Sequence, residues 1–153
     1  MTSIVNLIEH EEGWREKPYL CSEGYPTVGF GFKIGPKGAP IVNYQIRLPK
    51  PVGVVWLSEL LGSVQSDMEK HPHIAEALES CNEAQKAVLI SMAYQMGVDG
   101  LAAFKNTLKA VAERRFSDAK AGMLNSKWAK QTPVRAARHA DQMESGEWCP
   151  LYS

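Results

Sequence analysis

Three side chains near the N-terminus have types suited to acid–base chemistry and stand at joints between predicted elements: Glu12, Cys21 and Thr27. A carboxylic acid can protonate a leaving group, while a thiol or hydroxyl can activate or position water. Hydrolysis of a glycosidic bond needs that pairing: an acid on one side of the bond and a water-activating group on the other. Each residue also has an ordinary reading. A helix-end glutamate is usually solvated, a lone cysteine usually packs as a small core residue, and a threonine is common in strands.

The elements that must position them are legible from periodicity. Ile4, Val5, Leu7 and Ile8 recur at helical spacing, with Thr2 or Ser3 able to cap the start. Gly13 suits the left-handed residue beyond a helix end, so Glu12 falls in the last turn, where the helix dipole disfavours an anion. Strands are predicted over 17–21 and 25–34 around the turn Ser22-Glu23-Gly24-Tyr25. On the second strand Thr27, Gly29 and Gly31 share one face, and two glycines leave room for a close approach to the backbone. A third strand is predicted where Val42, Tyr44, Ile46 and Leu48 alternate with polar residues. A hairpin folded back on the helix end would gather the three candidates.

From Pro51 onward the pattern is helical. Trp56, Leu60, Val64 and Met68 predict a long helix over about 52–70. A short helix follows over 74–79. Asn82 with Gln85 reads as a capping box opening a helix over 83–96, apolar nearly all round and therefore buried. Gly97 and the Asp99-Gly100 pair read as its stop. Thr107 and Ser117 are candidate caps for helices over 108–115 and 118–124, and Thr132-Pro133 opens a last helix ended by Gly146. The fold class is therefore α+β, with a small three-stranded antiparallel sheet set between helix 1 and a helical lobe. The chain reads as one domain over 1–153, with a sheet lobe over about 13–51, a helical lobe over 1–12 and about 70–153, and a connecting helix over about 52–70.

Composition narrows the function. The 153 residues are 44% hydrophobic and 22% charged, ordinary for a globular domain. Seventeen charges of each sign give a formal net charge of zero, which argues against nucleic acid as a partner. No apolar run is long enough to span a membrane, and the N-terminus lacks the features of a secretory signal. Cys21, Cys81 and Cys149 are odd in number and widely spaced, which reads as reduced thiols, although a Cys21–Cys149 pair is geometrically open. His71 and His73 are two apart, unlike metal ligands at i, i+4. With His10 and His139 they read as surface or capping residues. No nucleotide-binding motif is present, and neither a cofactor nor a metal is expected. Arg135 and Arg138, three apart on one helix face, form either a solvated basic face or a partly buried pair answering Glu11 and Glu12.

Three segments carry a family resemblance. Glu12-Gly13 followed by Tyr19-Leu20-Cys21-Ser22-Glu23-Gly24-Tyr25-Pro26-Thr27-Val28-Gly29-Phe30-Gly31 is the first. The second is Met92-Ala93-Tyr94-Gln95-Met96-Gly97 with Gly100-Leu101-Ala102-Ala103-Phe104. The third is Ser126-Lys127-Trp128 through Thr132-Pro133-Val134-Arg135-Ala136-Ala137-Arg138, with Gly146-Glu147-Trp148 beyond. In order and spacing they resemble the T-even phage lysozymes of glycoside hydrolase family twenty-four. The resemblance implies a lysozyme-like fold of two lobes flanking a cleft. It also implies hydrolysis of the β-1,4 bond between N-acetylmuramic acid and N-acetylglucosamine in peptidoglycan. By position it makes Glu12 the general acid, Thr27 the hydroxyl that positions water, Arg135 the cation beside the acid and Arg138 the partner of Glu11. Tyr94 and Gln95 take cleft-wall positions, and Glu23, Lys33 and Thr107 stand where the family contacts sugar.

The departures are specific. Cys21 stands where the family commonly has aspartate, and could serve as a base for water, a charge stabiliser or a nucleophile. Phe32 replaces a common histidine, the isoelectric point is near neutral, and residues 35–50 diverge. The implied role is that of an endolysin. It would be monomeric, made in the host cytoplasm, and able to reach the wall once a separate holin opens the membrane. Two rivals stand beside it: a non-catalytic peptidoglycan-binding module on the same fold, and a thiol hydrolase centred on Cys21. Retention of Glu12, Thr27 and Arg135 speaks against the first. Phe32, where a histidine could have activated the thiol, speaks against the second.

Overall fold

The computed structural model describes residues 3–153. Thr2, one of the two candidate caps of the first helix, lies outside them. Ser3 does cap α1 (Ile4–Glu12), its hydroxyl accepting from the Asn6 backbone N–H at 3.3 Å. Gly13 follows at φ +70° and ends the helix at Glu12. The chain divides into two compact units. One is Ile8–Leu60; the other joins Leu61–Ser153 to the chain start through Leu7.

The first unit holds the sheet. Strands β1 (Arg15–Leu20), β2 (Pro26–Gly29) and β3 (Phe32–Lys33) form an antiparallel meander in that order. Tyr19 pairs with Thr27, and Thr27 with Lys33. Two corrections to the sequence reading follow. The single strand predicted over 25–34 is two strands, because Gly29 (φ +70°) and Gly31 (φ +79°) turn the chain at Phe30-Gly31. The strand predicted over 42–48 does not form. Residues 41–43 make a 3-10 turn, and the stretch that follows contributes one backbone bond to the sheet, Leu48 N–H to the Glu16 carbonyl at 2.8 Å. Of its alternating apolar residues only Leu48 is buried, while Val42 and Ile46 face solvent. The core of this unit is an aromatic chain in which Trp14 meets Phe30 at 4.7 Å and Phe32 meets Trp56 at 4.5 Å between ring centroids. Ile8, Val28, Leu48 and Leu57 pack around it.

Helix α2 (Lys50–Glu69) starts with Pro51 in its first turn and runs from the first unit into the second. The second unit is helical: α3 (Pro72–Glu79), α4 (Glu83–Met96), α5 (Val98–Ala102), α6 (Lys105–Ala112), α7 (Phe116–Leu124), α8 (Lys127–Gln131) and α9 (Pro133–Ser145). The described residues thus form nine α-helices and a three-stranded antiparallel sheet, an α+β, lysozyme-like arrangement. The Asn82–Gln85 capping box is present in both directions, and most of α4 is buried. Gly97 ends α4, while Asp99-Gly100 does not stop the chain but lies inside α5. Thr107 and Ser117 are not caps. Each helix starts earlier, at Lys105 and Phe116, and the Thr107 hydroxyl packs where a side chain on Gly122 would stand. Among the described residues no helix is long and apolar enough to cross a membrane.

Candidate active site

Glu12 is the last residue of α1, and a glycine shapes the space beside it. A Cβ at Gly31 would stand 3.0 Å from Glu12 Oε2. Glycine in the turn between β2 and β3 therefore leaves the carboxylate room that a Cβ would crowd, and Gly31 also adopts the positive φ that L-residues disfavour. The space that the sequence left open on the Thr27 side of the strand is taken at Gly31 by this carboxylate.

Cys21 sits at the corner of the β1–β2 hairpin. Its N–H donates to the Tyr25 carbonyl at 3.0 Å, and its carbonyl accepts from Gly24 N–H at 2.9 Å, with Gly24 at φ +86°. The thiol is partly exposed. Burial works against its ionisation, but the backbone donors of Tyr25 and Glu23, the Thr27 hydroxyl and the Lys33 ammonium outweigh it and bring the thiol below its ordinary range. Cys81 behaves oppositely, pushed up to about 12 by burial, with Lys86 opposing. All three cysteines are free, so the Cys21–Cys149 pair does not form.

Thr27 is 2% exposed, and its hydroxyl donates to the Tyr25 carbonyl at 2.8 Å. A hydroxyl has one proton to give. The ionised Cys21 sulfur and the Tyr25 carbonyl therefore compete for it, which couples the hydroxyl's orientation to the thiol's charge. Lys33 lies over the Tyr25 ring, 4.3 Å from its centroid, and pairs with Glu23 at 3.5 Å. Both members of that pair are more than half exposed, so the pair adds little to stability. Tyr19, which the sequence does not mark as a site residue, pairs with Thr27 across the sheet and carries Arg15 over its ring at 4.3 Å. Burial raises its phenol, Arg15 opposes, and Glu12 and Cys21 add to the rise. Glu12 and Cys21 thus both bear electrostatically on one phenol, and Glu12, Tyr19, Cys21, Glu23, Thr27 and Lys33 all belong to the Ile8–Leu60 unit.

The remaining candidates lie in the second unit. Gln95 accepts from Trp128 Nε1–H at 2.8 Å, and Tyr94 beside it is partly exposed. Thr107 is 6% exposed and turned toward α7. Arg135 is buried, its Nη2 donating to Ser91 Oγ at 2.9 Å, while Arg138 is partly exposed and Glu11, in the other unit, likewise. Of the histidines read as surface or capping residues, His139 is a correction: it is fully buried, because it falls on the inward face of α9 with Ala136, Ala140 and Met143.

The phage lysozyme family model matches residues 9–140. The chain belongs to the phage lysozyme family. It is an enzyme, a glycoside hydrolase of the lysozyme type. Probable T4-type lysozyme 1 of Dictyostelium discoideum is 27% identical over 163 residues, covering 95% of this chain and 96% of that protein. The pre-baseplate central spike protein Gp5 of Enterobacteria phage T4 is 28% identical, covering 89% of this chain but 26% of that protein. Peptidoglycan hydrolase gp36 of Pseudomonas phage phiKMV is 30% identical, covering 86% of this chain and 14% of that protein. The lysozyme unit thus corresponds to nearly the whole of the slime-mould protein and to a fraction of each phage protein.

Proposed function

We propose that this lysozyme cuts the β-1,4 bond between N-acetylmuramic acid and N-acetylglucosamine, with Glu12 as general acid. Peptidoglycan hydrolysis follows from its family and from relatives that include a phage peptidoglycan hydrolase. The observation that supports the assignment of the acid is the room left for the Glu12 carboxylate at the helix end by glycine at position 31, where a Cβ would stand 3.0 Å from Oε2. In this reading Glu12 protonates the departing sugar oxygen, and Thr27 and Cys21 act on the water that attacks. The donors around the sulfur support a Cys21 thiolate as the group that activates this water or balances positive charge on the sugar. Arg135 serves as the cation that answers the acid, Arg138 as the partner of Glu11, and Tyr94, Gln95, Glu23, Lys33 and Thr107 as sugar contacts. Host lysis by a monomer, with a separate holin opening the membrane from the cytoplasmic side, is part of the same proposal.

Turbidity clearing of outer-membrane-stripped Gram-negative cells tests it. Wild type clears them and Glu12→Gln loses at least ~10²-fold, the scale of general acid catalysis. Clearing by Glu12→Gln at the wild-type rate would remove the acid from the mechanism. Wild-type protein that binds wall without clearing would instead be a binding module.

A further inference from the structure

Four polar side chains with almost no solvent contact meet in the helical unit. Ser91 on α4 and His139 on α9 are 0% exposed, Tyr152 near the C-terminus is 1% exposed and Arg135 on α9 is 8% exposed. Arg135 Nη2 donates to Ser91 Oγ at 2.9 Å. The same oxygen lies 2.7 Å from His139 Nε2, and His139 Nδ1 lies 3.3 Å from Tyr152 Oη. The Trp128 indole from α8 closes the pocket, 6.1 Å from the imidazole between centroids.

A guanidinium can only donate, so Ser91 Oγ is its acceptor. The same hydroxyl meets the imidazole, and the imidazole meets the Tyr152 hydroxyl. A buried chain of this kind holds its members more tightly than separate bonds would. We propose that Ser91, His139 and Tyr152 are positioning residues that hold Arg135 in its working orientation, and through it set the rate of hydrolysis. The inference rests on the reading above that Arg135 serves the acid.

The experiment measures kcat and KM on solubilised peptidoglycan chains, well below each variant's melting temperature. Ser91→Ala and His139→Leu are expected to lower kcat ~10-fold or more, with KM changed less than about twofold, since misplacement of a reacting group acts on the transition state. His139→Gln, whose side-chain amide can still hydrogen-bond the Ser91 hydroxyl, restores most of kcat. Tyr152→Phe, which removes only one oxygen, gives a smaller loss and guards against a fold defect in His139→Leu. Wild-type kcat in both Ser91→Ala and His139→Leu, with Arg135→Ala inactive, would overturn the network's role. Full activity of Arg135→Ala would instead overturn the reading beneath it and the inference together.

Discussion

At the scale of single residues, the chemistry turns on Cys21. A thiol brought below its usual range ionises as pH rises through that range, so the thiolate fraction and the rate should rise together. Cys21→Asp should move this rise far toward acid, because an unperturbed aspartate ionises near ~3.9. Cys21→Ser should lose ~10²-fold or more at neutral pH, whereas Cys21→Asp keeps much of the activity. A pH–rate profile of the three proteins checks this; full activity in Cys21→Ser removes the sulfur from the mechanism. The two thiols also make a chemical prediction. Iodoacetamide near neutral pH should modify Cys21 well before Cys81, whose thiol is pushed up to about 12, and peptide mapping reads the order. Gly31→Ala joins a strained φ to crowding of the Glu12 carboxylate. It should cost about 1–2 kcal/mol of stability and lower kcat more than it raises KM. Wild-type kcat in that variant would mean the contact does not matter to catalysis. The places of Glu12 at a helix end, Cys21 at a hairpin corner and Thr27 on the returning strand were legible from the change of period around them. His139 was not legible as buried. A histidine in a helix of mixed polarity gives no sign of its face until the helix is packed.

At the scale of elements, sequence signals worked where the local chemistry closes on itself. Asn82 and Gln85 bond each other's backbone N–H groups, so the start of α4 needs nothing distant to define it. Gly13 and Gly146 end their helices with the left-handed φ their positions suggested. The signals failed where alternation was read as pairing. Val42, Tyr44, Ile46 and Leu48 alternate, but β3 already occupies the edge beside β2, formed by a turn at Phe30-Gly31 too tight to suspect in an apolar run. Thr107 and Ser117 look like caps, yet each helix begins before them, since buried packing of α6 and α7 outweighs a cap worth about 1 kcal/mol. Asn82→Ala provides the matching test. It removes the cap and also the bond from Asn82 Nδ2 to the Gly146 carbonyl at 2.9 Å. Urea denaturation should show a loss of about 1–2 kcal/mol with unchanged m-value. A loss below ~0.3 kcal/mol would mean that α4 does not depend on its box.

At the scale of the whole molecule, formal neutrality is the property that most separates this chain from a basic wall-seeking protein. Long-range attraction to anionic polymers scales with net charge and is screened within about 8–10 Å at physiological salt. Clearing rates should therefore change less than ~3-fold between low and physiological ionic strength; a steep fall with salt would show that local basic patches govern wall binding. The central claim remains the bond that is broken. Its most direct test is mass spectrometry of peptidoglycan digested in water labelled with heavy oxygen. The account predicts products ending in reducing N-acetylmuramic acid with the label on its anomeric carbon. Products ending in reducing N-acetylglucosamine, or label at a peptide carboxyl, would contradict it.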